Sequence, residues 1–403
     1  MDFSLTKEQI EWKESVKEFA RREIAPSNIE VDQKAEVSWE NWKKMADFGL
    51  LGMAFPKKYG GKGASPLETV QAFEGFAAGG GGFGTAAHWH CHMDDCGMSI
   101  VEHGKEVIKN KYLPKMARGE LVGAFGLTEA GAGSDVSRLT TTATRQGGDY
   151  LLNGMKTFIT NAPVCNLATV IAYTDKSKGH REGMSAFIVE EGFPGFSKGP
   201  GFQGDKLGEH AVTTGELRFS NCRVPVENML GNEGQGWQIM RDVLFWERYG
   251  PLGLTIGHME EMLEKCIKYS KKRVTFGKPI AQHQVIRHKL ADMKVRLEAS
   301  RFLVYKIAWE KEREISDMMN VSIAKLFCSE SFLQNATEGI QVLGGRGYMR
   351  EYEIERNFRD ARLLTIAAGT SEIQREIIGN RLIRLPLPDD LEIMRPGILR
   401  SEV

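Results

Sequence analysis

The chain has 403 residues, 41% hydrophobic and 26% charged, with 53 Lys+Arg balanced by 53 Asp+Glu. That length supports two or three domains with substantial cores, and a formal net charge of zero leaves no long-range field to collect nucleic acid or anionic lipid. Cys91, Cys96, Cys165, Cys222, Cys266 and Cys328 form no CxxC pair, which reads as reduced thiols rather than disulfides, and no apolar run approaches the ~20 residues of a membrane span.

The opening MDFSLTKEQIEW has neither a basic segment followed by an apolar run nor an Arg/Ser-rich transit character, so the expectation is a soluble, cytoplasmic, prokaryote-like protein. Thr6 to Gln9 has the pattern of a capping box, and Trp12, Val16, Phe19, Ala20 and Ile24 recur at helical spacing until Pro26, which predicts an amphipathic helix against a core. Helical stretches broken by Gly/Pro-rich loops (YGGKGASP, AAGGGGFG) follow, giving a helical segment over 1–121.

Within it, HWHCHMDDC (88–96) has the look of a metal cluster. Residues two apart on a helix face different ways, so His88, His90 and His92 are not expected to converge on one ion, and no metal is predicted.

Over 122–235 the pattern changes. Asn153-Gly154 stands between two apolar-rich runs in DYLLNGMKTFIT, a strong hairpin signal, and LATVIAYT, MSAFIVE and GELRFSNCRV are further strand candidates. A small antiparallel β domain is predicted. From 236 to 403 the periodicity is helical again, with Leu290, Met293, Leu297, Val304 and Ile307 on one stripe of a long helix and a helix bundle as the expected packing. Where such segments meet, a crevice is a preferred cofactor site, although architecture alone names no chemistry.

Four separated segments carry more information: FGLTEAGAGSD (125–135), TFITNA (157–162), RVTFGKPIAQHQ (273–284), and QVLGGRGY (341–348) with AAGTSEIQR (367–375). In order and spacing they resemble the acyl-CoA dehydrogenase family over essentially the whole chain. The resemblance implies an α+β fold with an N-terminal α-helical domain, a middle antiparallel β domain and a C-terminal four-helix bundle. It also implies FAD, an acyl-CoA substrate, electron-transferring flavoprotein as acceptor, and a homo-oligomer, with a dimer of dimers as the common arrangement.

A flavin ring needs backbone and hydroxyl donors that favour hydride acceptance, and Thr128 and Thr160 are the evident hydroxyls. By resemblance, Phe125, Leu127, Thr128, Gly133 and Ser134 run along the flavin, Phe158 packs near the ring, and Ile159 and Thr160 follow it, with Thr160 bonding near N5. A pyrophosphate needs a fixed cation and close backbone approach. The resemblance assigns Arg273, Thr275, Phe276, Gln284, Gln341, Gly344 and Gly345 to the ADP half of a FAD bound by the neighbouring subunit, and brings Thr370 and Glu372 to the cofactor.

Taking an α-proton from a thioester requires a carboxylate against that carbon. Many members of the family carry it just before the Gly-Thr of the last motif, where this chain has Ala368. LFWERYGPLG (244–253) resembles instead the helix of isovaleryl-CoA dehydrogenase and its long-chain relatives, in which the base immediately precedes an Arg; this makes Glu247 the expected base. Confinement beside a flavin and an apolar acyl chain is expected to raise its pKa.

Ser134, Arg248 and Gly369 match positions that contact the thioester ligand in the family. In the family the region matching 88–96 packs near the acyl pocket, so the resemblance implies that polar groups such as His90 favour a substrate with a polar or carboxylated tail. The alternatives are a dehydrogenase of carrier-protein-bound acyl or aminoacyl thioesters, and flavin-dependent monooxygenases or nitroalkane oxidases on the same fold, which lack the Glu-Arg pair.

Overall fold

The computed structural model describes residues 5–383. Sequence readings on residues 1–4 and 384–403, which include the outer ends of the first and last segments, lie outside the described residues.

The first helices are α1 (Lys7–Phe19), α2 (Asn28–Lys34), α3 (Trp39–Phe48), α4 (Pro66–Ala78), α5 (Phe83–His90), α6 (Met98–His103) and α7 (Glu106–Ala117). The capping box of α1 is present: the Thr6 hydroxyl accepts from Gln9 N at 3.2 Å and the Gln9 side chain accepts from Thr6 N at 3.0 Å. These bonds satisfy two otherwise orphaned donors. The apolar run then passes through a π-helical turn at Ala20–Ile24 and stops at the short turn Ala25–Ser27, which holds Pro26.

The middle strands are β1 (Gly123–Gly126), β2 (Thr142–Gln146), β3 (Asp149–Thr160), β4 (Leu167–Tyr173), β5 (Met184–Glu190), β6 (Phe196–Gly201), β7 (Thr214–Pro225) and β8 (Met229–Leu230), with α8 (Gly179–Gly183) between β4 and β5. They form one sheet in the order β6-β7-β3-β2-β4-β5-β8, with β1 alongside β4. Two expectations need correction. Asn153-Gly154 is not a hairpin turn but lies inside β3, at a register shift against β7. The turn falls earlier, at Gly147-Gly148, between the paired residues Gln146 and Asp149, and Gly147 supplies the positive φ of 62° that such tight turns favour. A Cβ on Gly154 would run into Thr141, so that glycine marks close packing and not chain reversal. The sheet is also not wholly antiparallel: β1 and β4 run parallel, as does the single β2–β4 pairing at Thr142 and Tyr173. The β2–β3 hairpin separates β1 from β4 in the chain, so no tight turn dictates their direction.

The last part comprises α9 (Gly236–Tyr249), α10 (Leu252–Lys272), the short ladder β9 (Val274–Thr275) and β10 (Lys278–Pro279), α11 (Gln284–Glu312), α12 (Met318–Leu343), α13 (Ile354–Leu364) and α14 (Ser371–Ile383). Helices α10, α11 and α12 pack on one another and α14 packs on α12. The predicted stripe is the buried face of α11, where Met293, Leu297, Val304 and Ile307 are sealed and Leu290 is half-buried.

The two helical parts are joined by a buried charge. Glu74 of α4, wholly inaccessible, is met by Lys13, by Arg301 Nε at 3.0 Å and by Tyr305 Oη at 2.6 Å. All six cysteines are free thiols. Among the described residues no helix is long and apolar enough to cross a membrane.

Candidate active site

The helical parts and the sheet meet at a cavity of about 800 Å³, within the ordinary range for a ligand site. The loop leaving β1 brings Phe125, Leu127, Thr128, Gly133 and Ser134 to its wall; the end of β3 brings Phe158, Ile159 and Thr160; α9 brings Glu247 and Arg248; and the turn before α14 brings Ala368, Gly369 and Thr370. Twelve of the residues expected from sequence therefore line one space: Phe125, Leu127, Thr128, Gly133, Ser134, Phe158, Ile159, Thr160, Glu247, Arg248, Gly369 and Thr370.

The β1 loop is anchored by an ion pair. Lys156, inaccessible on β3, donates to Glu129 Oε1 at 2.8 Å and to the Leu127 carbonyl at 3.0 Å. Glu129 also accepts from the backbone N–H groups of Thr140 and Thr141, at 2.7 and 3.0 Å, and from both hydroxyls. Burial alone would raise the Glu129 carboxyl, but Lys156 and these donors hold it down at about 2. The loop is fixed before any ligand arrives.

Phe158 takes a left-handed backbone, φ 57°, and leaves its ring 69% exposed against Phe202, with centroids 5.7 Å apart. An exposed aromatic held in a sparsely populated conformation suits a surface that a flat ring covers. With the Thr128 and Thr160 hydroxyls and the open space beside Gly131 and Gly133, this lining fits an isoalloxazine.

Glu247, on the last turn of α9, is partly buried and opens on the cavity. Burial raises its pKa, against the opposing pull of His90, Arg248 and Lys325. Arg248 is 2% exposed; its Nε donates to the Ala368 carbonyl at 2.8 Å and its Nη1 has no partner. Lys325 donates to the Gly369 carbonyl at 2.7 Å. Ala368 and Gly369 are both left-handed, at φ 54° and 87°, a bend costly for an alanine that the two cations hold through its carbonyls.

The three histidines diverge, as the spacing predicts. His88 pairs with Asn161, His92 accepts from Gly123 N at 3.0 Å, and His90 Nδ1 pairs with Asp94 at 2.9 Å. A grouping missed by that spacing argument does exist: ligand atoms of His90, Cys91 and Asp95 lie within 4.8 Å of one another. Cys91 and Asp95 both line the cavity, and neither was singled out from sequence although both stand in the 88–96 run. Lys325, on α12, carried no motif at all.

The remaining predicted residues lie elsewhere. Arg273, Gln284, Gln341, Gly344 and Gly345 are exposed, Thr275 is half-exposed on β9, and Phe276 is 96% exposed at φ 49°. Glu372 is exposed and lines a neighbouring cavity of about 430 Å³, sharing Thr370 with the first. None of the first group lines the cavity formed by its own chain.

Residues 6–120, 124–222 and 234–383 match, respectively, the N-terminal, middle and C-terminal domains of acyl-CoA dehydrogenase. The chain is 40% identical over 388 residues to the mitochondrial isovaleryl-CoA dehydrogenase of Oryza sativa subsp. japonica, covering 95% of this chain and 92% of the relative. The structure of butyryl-CoA dehydrogenase from Megasphaera elsdenii superposes with a TM-score of 0.91 at 39% identity, over 95% of this chain and 100% of the other. A prolyl acyl carrier protein oxidase superposes with a TM-score of 0.90 at 35% identity, over 94% and 100%.

Proposed function

Because the chain belongs to the acyl-CoA dehydrogenase family and is an FAD-dependent oxidoreductase of acyl-CoA thioesters, we propose that Glu247 is the base that removes the α-proton. Bound FAD supplies the acceptor for the β-hydride. The product is the trans-2-enoyl thioester.

The observation that carries the assignment is that Glu247 lines the same cavity as Thr160 and Ser134, while position 368 offers only a methyl group. What a general base needs is reach to the proton and a pKa near working pH, not a fixed address in the chain. Burial moves the Glu247 pKa upward, in that direction. Arg248, Ser134 and Gly369 hold the thioester end, and the Nη1 of Arg248, buried, has no hydrogen-bond partner within the protein. Thr128 and Thr160 orient the flavin with their hydroxyls. The test is substitution of Glu247, treated in the Discussion.

The base must be ionised to act, so kcat/KM rises with pH through the raised Glu247 pKa. His90 is the largest of the positive influences that lower it. Replacing His90 by Gln is expected to move the rising limb of the pH profile to higher pH; a limb that stays put or moves lower contradicts the coupling.

We also assign Arg273, Phe276, Gln284, Gln341, Gly344 and Gly345 to the cofactor of a partner subunit, which makes the enzyme a homo-oligomer, with a dimer of dimers expected. Thr275 and Glu372 join this group on the same resemblance. Their support is exposure: an almost bare Phe276 in a left-handed turn has no reason to stand there in a monomer. Arg273→Ala is expected to weaken FAD retention roughly tenfold or more, the worth of one charge-assisted contact to phosphate. Measuring FAD release by fluorescence checks it, and unchanged retention refutes the role.

Electron-transferring flavoprotein is the proposed electron acceptor and the cytoplasm the proposed location. We take 1–121, 122–235 and 236–403 as the three domains. A carrier-bound thioester is a second reading, favoured by the likeness to the prolyl acyl carrier protein oxidase over almost the whole chain. Comparing free acyl-CoA with the same acyl group on a carrier protein separates the two.

A further inference from the structure

The floor of the cavity is built for a donor. Asp95 is 3% exposed, lines the cavity, and its Oδ1 has no hydrogen-bond partner. His90 Nε2, its nearest cation, is 3.7 Å away, beyond hydrogen-bond range, because the other ring nitrogen is tied to Asp94 at 2.9 Å. Leaving a buried carboxyl oxygen unmatched costs of the order of 1–3 kcal/mol or more, so the site should meet it with something. Beside it, the Cys91 thiol touches both Asp95 and Thr160. On the reading above, Thr160 faces the flavin and Glu247 the α-carbon, and Asp95 shares their cavity wall.

We propose that Asp95 selects acyl groups carrying a hydrogen-bond donor, a hydroxyl or an ammonium, on the carbons just beyond the β-carbon. This rests on the active-site reading above and deepens it. The opposite tail is disfavoured there: His90, the cation beside Asp95, is already engaged by Asp94 at 2.9 Å, so a substrate carboxylate arriving at Asp95 meets carboxyl groups with no free cation to pair it. A plain alkyl end would leave Asp95 Oδ1 unmatched. The expectation of a polar tail is thereby narrowed from polar or carboxylated to donating.

The test uses FAD-loaded enzyme and measures binding as well as turnover. In a Glu247→Gln background, calorimetry compares butyryl-CoA, γ-hydroxybutyryl-CoA, γ-aminobutyryl-CoA and glutaryl-CoA. At least one donor-bearing thioester is expected to bind tenfold or more tightly than butyryl-CoA, and glutaryl-CoA most weakly. Adding Asp95→Leu should collapse the donor-to-butyryl ratio. Asp95→Asn, which keeps the shape and guards against a folding artefact, should abolish an ammonium preference but spare a hydroxyl preference, and so separates the two donors.

Butyryl-CoA binding as tightly as both donors, glutaryl-CoA binding best, or a ratio indifferent to both Asp95 variants each overturns the proposal. Turnover surviving in Glu247→Gln would instead remove the base assignment, and the binding ratios would still decide the part played by Asp95.

Discussion

Glu247→Gln is expected to lower kcat by about 10²- to 10⁴-fold, the usual worth of a positioned general base, while the bound FAD keeps its absorbance and the substrate no longer bleaches it. Gln is nearly isosteric and retains the fit of the last turn of α9, so the loss reads as lost proton acceptance and not as lost packing. Rapid-mixing measurement of flavin reduction is the direct readout, and full-speed reduction in Glu247→Gln would refute the assignment.

Glu129→Ala is expected to be the most damaging single change to stability away from the chemistry, by about 3–5 kcal/mol, because it strands Lys156 as an uncompensated charge inside the protein. It also takes an acceptor from two backbone N–H groups. Denaturant unfolding measures the loss, and a change below about 1 kcal/mol would contradict the account. Lys156→Met in the same background should restore much of the stability, since neutralising both partners of a buried pair is far milder than removing one.

The acid limit follows from the same pair. The folded carboxyl sits at about 2, below its ordinary 4.5, so its contribution is full above the unfolded value and drains away as pH falls from there toward 2. The variant should lose this part of the acid sensitivity. Because Lys156 also holds the Leu127 carbonyl, looser FAD binding should accompany the lower stability.

Much of the architecture was legible because periodicity reports which faces are buried. The capping box at Thr6 and the stripe on α11 are local patterns that packing does not override. The Asn153-Gly154 reading failed because a dipeptide signal cannot distinguish a turn from a bulge: the close approach of Thr141, which sits across from Gly154 just beyond the Thr142–Asn153 pair, makes the glycine necessary. The parallel β1–β4 pairing was invisible for a related reason, since strand direction between non-neighbours is decided by the whole sheet.

At the cavity, residues named from contiguous motifs reach the wall, whereas those that arrive singly carried no sequence signal. Lys325 reaches Gly369 from the middle of α12 with no neighbouring signal. Asp95 was in plain view, but the run was weighed for metal binding and the free carboxyl oxygen is a fact of three dimensions.

Cys91 and Asp95, four residues apart, share the cavity wall, and the segment Cys91–Gly97 that carries them is wound as a π-helix, whose wider turn changes which positions align. Such a turn accommodates one residue more than the α-helix it interrupts. Deleting a residue there would return the segment to α-helical winding, changing which residue of 91–97 closes the acyl pocket while helices on either side kept their places. A change of a single codon in length could thus redirect what this scaffold accepts, with no substitution at the residues that carry the reaction.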